Sequence, residues 1–350
     1  MRESEPMTLD AKIPATIVWH NDQLKILDQR RLPGAVSYLE VTDLDAAWQA
    51  INTLAVRGAP AIGITAAYAL VVAMRNTPDQ RSVAQFLEDL NAAGTYLKTA
   101  RPTAVNLAWA VDRVIAAASC EPSYVRIKSE AETIHAEDRR ICRAIGEAGR
   151  GLITPHCRIL THCNAGSLAV SELGTATAPL YLNHAANVPF KVYVGETRPL
   201  LQGARLTAWE LSQAGIDVTL ICDSMPASLM AAGQIDLVIV GTDRVTGNGD
   251  VVNKIGTLNL AVLCHHFEVP FYVACPVSSY DPATPSGAEV VIEERDSSEI
   301  LGDQAADVPV FNPAFDITPA ALVSGIITDR GIARAPLADS LAELFQPGDG

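Results

Sequence analysis

The sequence predicts an α/β protein: a small N-terminal β element and a helical domain, then a domain built on a mostly parallel sheet. Residues 15–41 alternate apolar and polar around Asn21-Asp22, the pattern of a small β element. From Asp43 to about Arg150 the apolar period becomes helical. After Gly151 short, wholly apolar runs recur between helical stretches. That alternation builds a parallel sheet covered on both faces.

In chain order, Ile17-Val18-Trp19 and Leu24-Lys25-Ile26 form the β element. Leu44 to Val56, Ala61 to Met74, Val83 to Ala100, Ala104 to Ala118 and Tyr124 to Glu147 are the predicted helices. Arg57-Gly58-Ala59-Pro60 and Arg101-Pro102-Thr103 each set an arginine beside a proline at a helix entrance, where proline is tolerated. The predicted strands are Arg158 to Thr161, Val192 to Val194, Val218 to Cys222, Leu237 to Val240, Phe271 to Ala274 and Ile326 to Thr328. Helices over Gln202 to Gln213, Ala227 to Gly233 and Gly256 to Phe267 lie between them. The domain boundary falls within or after the long helix ending near Gly149, giving domains 1–150 and 151–350. The tail from Gln346 to Gly350 is expected to fray.

The chain has 350 residues, enough for one large or two ordinary domains, and 49% of them are apolar, enough for a substantial core. Its net charge of −14 argues against nucleic acid as a main partner. An anionic small ligand remains compatible, because local Arg and Lys outweigh the global field at short range. The first residues lack the apolar core of a secretion signal. The longest apolar patch, Ala59 to Met74, is too short to span a bilayer. A soluble, cytoplasmic protein with no membrane partner is expected. The 7 cysteines are odd in number and widely spaced, so no disulfide framework is expected. Cys264-His265-His266 point in different directions on a helix and chelate poorly, so no metal is expected there.

In an open α/β sheet, ligands bind at the carboxyl ends of the strands. Those ends carry Thr161-His162-Cys163-Asn164-Ala165-Gly166, then Glu196-Thr197-Arg198-Pro199 with Gln202-Gly203-Ala204-Arg205, then Asp223-Ser224, then Gly241-Thr242-Asp243. Cys163 stands before Asn-Ala-Gly, where backbone can approach a ligand closely; the alternative is a buried, inert thiol. His162 points to the opposite strand face and reads as structural. Asp243 ends a wholly apolar strand, and burial there would raise its pKa toward the range of a general acid; the alternative is a helix cap or a surface acid. Asp223, Asp250 and Glu196 are weaker site candidates: Asp223 can simply cap the following helix, and Asp250 and Glu196 can merely hold an arginine in place. Asn253 and Lys254 read as the opening of a helix whose start favours phosphate. A lone arginine is usually solvated surface, but Arg57 and Arg101 both stand at proline-marked helix entrances in a chain with 26 basic residues, which makes a modest case for a phosphate cradle to which the Gly58 and Ala59 amides would add. There is no Walker A lysine pattern and no GxGxxG after a strand, so neither a nucleoside triphosphatase nor a dinucleotide enzyme is indicated.

Taken together, Arg57-Gly58-Ala59-Pro60-Ala61-Ile62-Gly63, Arg101-Pro102-Thr103-Ala104-Val105-Asn106-Leu107, Thr161 to Gly166, Glu196 to Pro199, Gln202 to Ala208, Gly241 to Arg244, Asn248 to Asp250, Asn253 to Thr257 and Asp316 to Ala320 resemble the methylthioribose-1-phosphate isomerase family. The resemblance runs from about Thr16 to Ala333. The family belongs to a wider group with ribose-1,5-bisphosphate isomerases and regulatory subunits of a translation initiation exchange factor. The resemblance implies a helical N-terminal domain, a Rossmann-like C-terminal domain, a homodimer, and no metal or organic cofactor. It implies conversion of 5-methylthioribose 1-phosphate to 5-methylthioribulose 1-phosphate in methionine salvage. By motif, Cys163 and Asp243 are the catalytic pair, and Arg57, Gly58, Ala59, Arg101, Gln202, Asn253 and Lys254 bind substrate. The alternatives are an isomerase of 5-deoxyribose 1-phosphate or ribose 1,5-bisphosphate, and a non-catalytic sugar-phosphate or nucleotide sensor. A second phosphate needs a further basic cluster, which the sequence does not clearly show. A sensor need not keep the Cys/Asp pair.

Overall fold

Asn21 and Asp22 take positive φ, 48° and 59°, and turn the chain within two residues, the geometry that matches the twist of a hairpin. The computed structural model describes residues 13–75, 82–102, 104–302 and 308–345. Thr103 of the second arginine–proline entrance, the first residues and the tail from Gln346 lie outside the described residues. The chain divides into two units, one of Pro14–Ile141 with Ser167–Gly174, the other of Cys142–Gly166 with Thr175 onward. The division falls inside the long fifth helix.

In the first unit, β1 (Ile17–His20) and β2 (Gln23–Leu27) form that hairpin, and β3 (Tyr38–Val41) completes a three-stranded antiparallel sheet. The Asp43 side chain accepts a 2.8 Å bond from the Ala46 amide and so starts α1 (Leu44–Asn52). Next comes α2 (Ala59–Met74), apolar on all sides and buried along almost its whole length. α3 (Val83–Lys98), capped by Ser82, and α4 (Val105–Cys120) pack beside it, followed by α5 (Tyr124–Gly149). At Gly63 a Cβ would lie 2.9 Å from the Asn106 carbonyl. Glycine there lets α2 and α4 meet backbone to backbone near their starts. The two arginine–proline entrances are therefore neighbours.

The second unit is built on β4 (Cys157–Thr161), β5 (Phe190–Gly195), β6 (Asp217–Ile221), β7 (Leu237–Val240), β8 (Arg244–Thr246), β9 (Val251–Lys254), β10 (Phe271–Ala274), β11 (Tyr280–Asp281), β12 (Phe315–Thr318), β13 (Gly325–Thr328) and β14 (Gly331–Ala333). Its helices are α6 (Ala178–Ala185), α7 (Ala208–Gln213), α8 (Pro226–Ala231), α9 (Thr257–His266), α10 (Ser298–Leu301) and α11 (Leu337–Phe345). The main sheet has seven strands in the order β14-β13-β10-β7-β4-β5-β6, parallel except for β14. The chain enters at β4, adds β5 and β6 on one side, then returns to add β7, β10 and β13 on the other. That is the strand order of the doubly wound dinucleotide fold, with its reversal between β4 and β7. Every residue of β7 and β10 is buried, as expected for parallel strands covered on both faces.

A second sheet, β11-β8-β9-β12, has no counterpart in the sequence-based reading. It corrects one expectation. Asn253 and Lys254 do not open a helix; they end β9, where they pair with Asp316 and Phe315 of β12. Gly256, at φ 102°, then turns the chain into α9, a conformation that glycine takes without strain. No helix among the described residues is long and apolar enough to cross a membrane.

Candidate active site

The carboxyl ends of β4 and β7 flank the reversal of strand order, where open α/β sheets hold ligands. Cys163 follows β4 and Asp243 follows β7. A Cβ on Gly241 would fall 2.5 Å from the Ala165 Cβ. The two loops therefore touch, and a larger residue than glycine would separate them. The structure thus brings the Cys163 and Asp243 loops together at one rim.

Cys163 is half-buried and held at φ 59°. Its amide donates to Thr197 Oγ1 at 2.8 Å, and its carbonyl accepts from Thr207 Oγ1 at 2.5 Å. Thr197 is fully buried and passes its own hydroxyl proton to the Gly195 carbonyl at 3.1 Å. Thr197 (φ 65°) and Leu201 (φ 58°) are also left-handed, which is costly for a β-branched residue and recurs at functional sites. The segment is held in place by Asp223. Its carboxylate accepts the Thr197 amide at 2.9 Å and the Arg198 amide at 2.7 Å. Asp223 therefore does not cap α8, whose cap position is Met225. Asp250 likewise holds no arginine among the described residues. Its carboxylate accepts the amides of Gly287 and Ala320 and the side chain of Asn248. Sequence reasoning assigned no role to Thr197 or Thr207, since bonds across 34 and 44 residues leave no local signal.

After Gln202 the chain takes a π-helical turn over Gly203–Thr207, a geometry frequent at functional sites. A Cβ on Gly203 would sit 1.8 Å from the Gly195 carbonyl, so this turn presses directly on the end of β5. Gln202 is buried, and its Oε1 has no hydrogen-bond partner among the described residues. A buried amide oxygen left in this way is suited to a hydroxyl of a bound sugar. Asn164 Nδ2 donates to Thr207 Oγ1 at 3.0 Å and to Glu210 Oε1 at 2.9 Å, tying the Cys163 loop to the same turn.

On the other side of the rim, the Asp243 amide donates to the Val252 carbonyl at 3.0 Å, which sets Asp243 beside Asn253. Asn253 is buried and donates to Thr257 Oγ1 at 3.0 Å. Lys254 lies over the Phe315 ring at 4.5 Å, and its ammonium donates to the Ala314 carbonyl at 2.9 Å. Asp243 itself is exposed. This corrects the expectation that the apolar strand buries it: β7 ends at Val240, and the carboxylate stands three residues beyond, past the covered part of the sheet. His162 is buried with Nε2 at 2.9 Å from the Ile255 carbonyl. Burial holds its pKa below the ordinary imidazole value, so the neutral ring donates from Nε2. That is the structural role predicted for it. Below this loop, Asp316 accepts the Gly256 amide at 2.7 Å and the Leu258 amide at 3.1 Å. Burial pushes its carboxyl up to about 6.

In the helical unit, Gly58 takes φ 92° at the start of α2, where no side chain caps the helix among the described residues. A Cβ on Gly58 would lie 2.3 Å from the Ala169 carbonyl. The Arg57-Gly58-Ala59 loop is thus in backbone contact with the Ser167–Gly174 segment of the same unit. Gln29 braces both pieces: its amide donates to the Ala55 carbonyl, and its side chain to the Leu168 carbonyl at 2.6 Å. Asn52, at the end of α1, donates to the Ala100 carbonyl at 3.1 Å and holds the turn that carries Arg101. Arg57, Gly58, Ala59 and Arg101 therefore gather around the paired starts of α2 and α4, where helix dipoles and open amides favour an anion.

Residues 55–335 match the initiation factor 2 subunit family. A methylthioribose-1-phosphate isomerase from Gemmatimonas aurantiaca is 50% identical over 334 residues, covering 94% of this chain and 96% of its own length. A 5-deoxyribose 1-phosphate isomerase from Bacillus thuringiensis is 46% identical over 341 residues, covering 94% and 98%. Among solved structures, 5-methylthioribose 1-phosphate isomerase from Pyrococcus horikoshii superposes with a TM-score of 0.91 at 39% identity, covering 97% of this chain and 99% of that one.

Proposed function

The chain belongs to the initiation factor 2 subunit family, and within it we propose an aldose–ketose isomerase that converts 5-methylthioribose 1-phosphate to 5-methylthioribulose 1-phosphate. The observation that carries this reading is the placement of Cys163 and Asp243 on either side of the strand-order reversal, in contacting loops. Full-length similarity to named isomerases supports it. We place the reaction in methionine salvage, in the cytoplasm, and expect a homodimer.

The substrate sets the chemical task. Its anomeric oxygen is esterified to phosphate, so the ring cannot open as a free hemiacetal does. Isomerisation must break the ring C–O bond while phosphate stays on C1, protonate the departing ring oxygen, take the proton of the C2 hydroxyl as C2 becomes the ketone, and move hydrogen from C2 to C1. Two acid–base groups near those atoms suffice. Asp243 is assigned the proton shuttle, donating to the departing ring oxygen or accepting from the C2 hydroxyl. Cys163 is assigned to C1–C2, as base or as stabiliser of the charged intermediate. A sugar bound over Asp243 would cover its carboxyl, and desolvation raises a carboxyl toward the range of a general acid. Gln202 and Asn253 are assigned to sugar hydroxyls. Arg57, Gly58, Ala59, Arg101 and Lys254 are assigned to the phosphate, an orientation effect worth several kcal/mol.

A second reading, 5-deoxyribose 1-phosphate as substrate, is favoured by the Bacillus thuringiensis relative. The two sugars differ by one methylthio group, a small apolar difference that an apolar pocket discriminates only weakly. Phosphorus NMR of the purified protein with each sugar phosphate, and with ribose 1,5-bisphosphate, tests the assignment. Preferential formation of the methylthio ketose 1-phosphate is expected. Failure to convert any of the three by folded protein would overturn it.

A further inference from the structure

The helical unit holds a cavity of about 340 Å³ apart from the start of α2, lined among others by Ile17, Trp19, Tyr68, Glu132, His135 and Arg139. That volume suits a small organic ligand. One wall is flat and apolar: Trp19 and Tyr68 stack with ring centroids 4.6 Å apart and planes 21° from parallel. Tyr68 lies nine residues along α2 from Ala59, a rise of about 14 Å. The cavity is therefore separate from the residues assigned to substrate phosphate.

The other wall is one stripe of α5. Glu132, His135 and Arg139 follow at i, i+3 and i+7 and share a face. His135 is 5% exposed. Its Nδ1 lies 3.1 Å from the Tyr68 hydroxyl, and its Nε2 is buried with no hydrogen-bond partner among the described residues. Burial lowers its pKa to about 4, so the ring is neutral near pH 7 and carries one proton. With Tyr68 donating to Nδ1, that proton sits on Nε2 as an unused donor. Glu132 and Arg139 are exposed at the mouth. Glu132 Oε1 accepts the Trp19 indole at 3.2 Å, and Arg139 has no ion pair among the described residues.

We propose that this cavity is a binding site for a zwitterionic α-amino acid with an apolar side chain. Arg139 and the His135 Nε2 proton take the carboxylate, Glu132 takes the ammonium, and the Trp19–Tyr68 stack takes the side chain. One carboxylate and one guanidinium at the mouth disfavour the other classes. A phosphate dianion would face Glu132 with a single cation to neutralise it. An organic cation would face Arg139.

Calorimetric titration of the full-length protein with L-leucine, L-methionine and L-phenylalanine tests this. Isopentylamine and 4-methylpentanoate serve as leucine analogues, each lacking one charge. Saturable binding of at least one amino acid at a stoichiometry of one per chain is expected, with both analogues weaker. Arg139→Ala and Glu132→Gln, at exposed positions, should each weaken binding about tenfold or more, with unchanged circular dichroism. Binding should persist in Arg57→Ala, which separates this site from the substrate set. Absence of saturable binding by all three amino acids, equal binding of either analogue, loss of binding in Arg57→Ala, or unchanged affinity in both mouth variants would overturn the proposal.

Discussion

Thr197→Val removes one hydroxyl and leaves the shape of the side chain nearly intact. Thr197 Oγ1 accepts the Cys163 amide at 2.8 Å and donates to the Gly195 carbonyl at 3.1 Å, in a site with no exposure. Valine is β-branched like threonine, so the cost of φ 65° is common to both and cancels. What remains is two backbone groups without their partner, at about 1–3 kcal/mol each, and a weaker loss at His162 Nδ1, 3.4 Å from the same hydroxyl. Partial relaxation brings the expected loss to about 2–4 kcal/mol, a large fraction of a typical folding free energy. Cys163 also loses the bond that holds it left-handed at the rim, and a displacement of about 1 Å at a reacting group costs on the order of a hundredfold in rate. Thr197→Ser keeps the hydroxyl and loses one buried methyl, about 1 kcal/mol. Urea unfolding and steady-state turnover of the three proteins check this. The valine variant should lose stability and kcat together, and the serine variant should recover most of both. A valine variant within about 0.5 kcal/mol of wild type with unchanged kcat would show that the Thr197 hydroxyl does not hold Cys163 in place.

Gly58→Ala should destabilise by about 3 kcal/mol, because it combines φ 92° with a Cβ 2.3 Å from the Ala169 carbonyl; thermal unfolding measures the loss, and KM for the sugar phosphate should rise. Asp316 titrates at about 6 in the fold against 3.8 ordinarily. The folded state thus holds the proton more tightly, and stability falls as pH rises from about 4 to 6, by about 3 kcal/mol at most. Asp316→Asn should remove that decline, so its stability relative to wild type should improve across this window in unfolding titrations at stepped pH. Asp223→Ala should free the Thr197 and Arg198 amides together and lower kcat more than it raises KM, read from steady-state kinetics against the milder Asp223→Asn.

The parallel sheet was legible because strands buried on both faces are written as unbroken apolar runs. Leu237–Val240 and Phe271–Ala274 lie where the sequence places them, residue for residue. The four-stranded sheet was not legible. Arg244–Thr246 is three residues long, and the partner of Val251–Lys254 lies about sixty residues further on, at Phe315–Thr318. For that reason Asn253 and Lys254 read as a helix start. Cys163 and Asp243 could be picked out as strand-end residues, yet the exposure of Asp243 could not, since burial beyond a strand depends on what the rest of the chain sets above it. The supports of Cys163 were hidden for the same reason: Thr197, Thr207 and Asp223 act through bonds between strand ends far apart in sequence.

The most direct test of the catalytic assignment is turnover of 5-methylthioribose 1-phosphate, followed by phosphorus NMR, by wild type, Cys163→Ser and Asp243→Asn, with binding of the sugar phosphate measured alongside. Wild type should form the ketose 1-phosphate, and both variants should lose at least about a hundredfold in kcat while still binding substrate. Conversion by either variant at the wild-type rate would contradict the assignment of Cys163 and Asp243 as the acid–base pair.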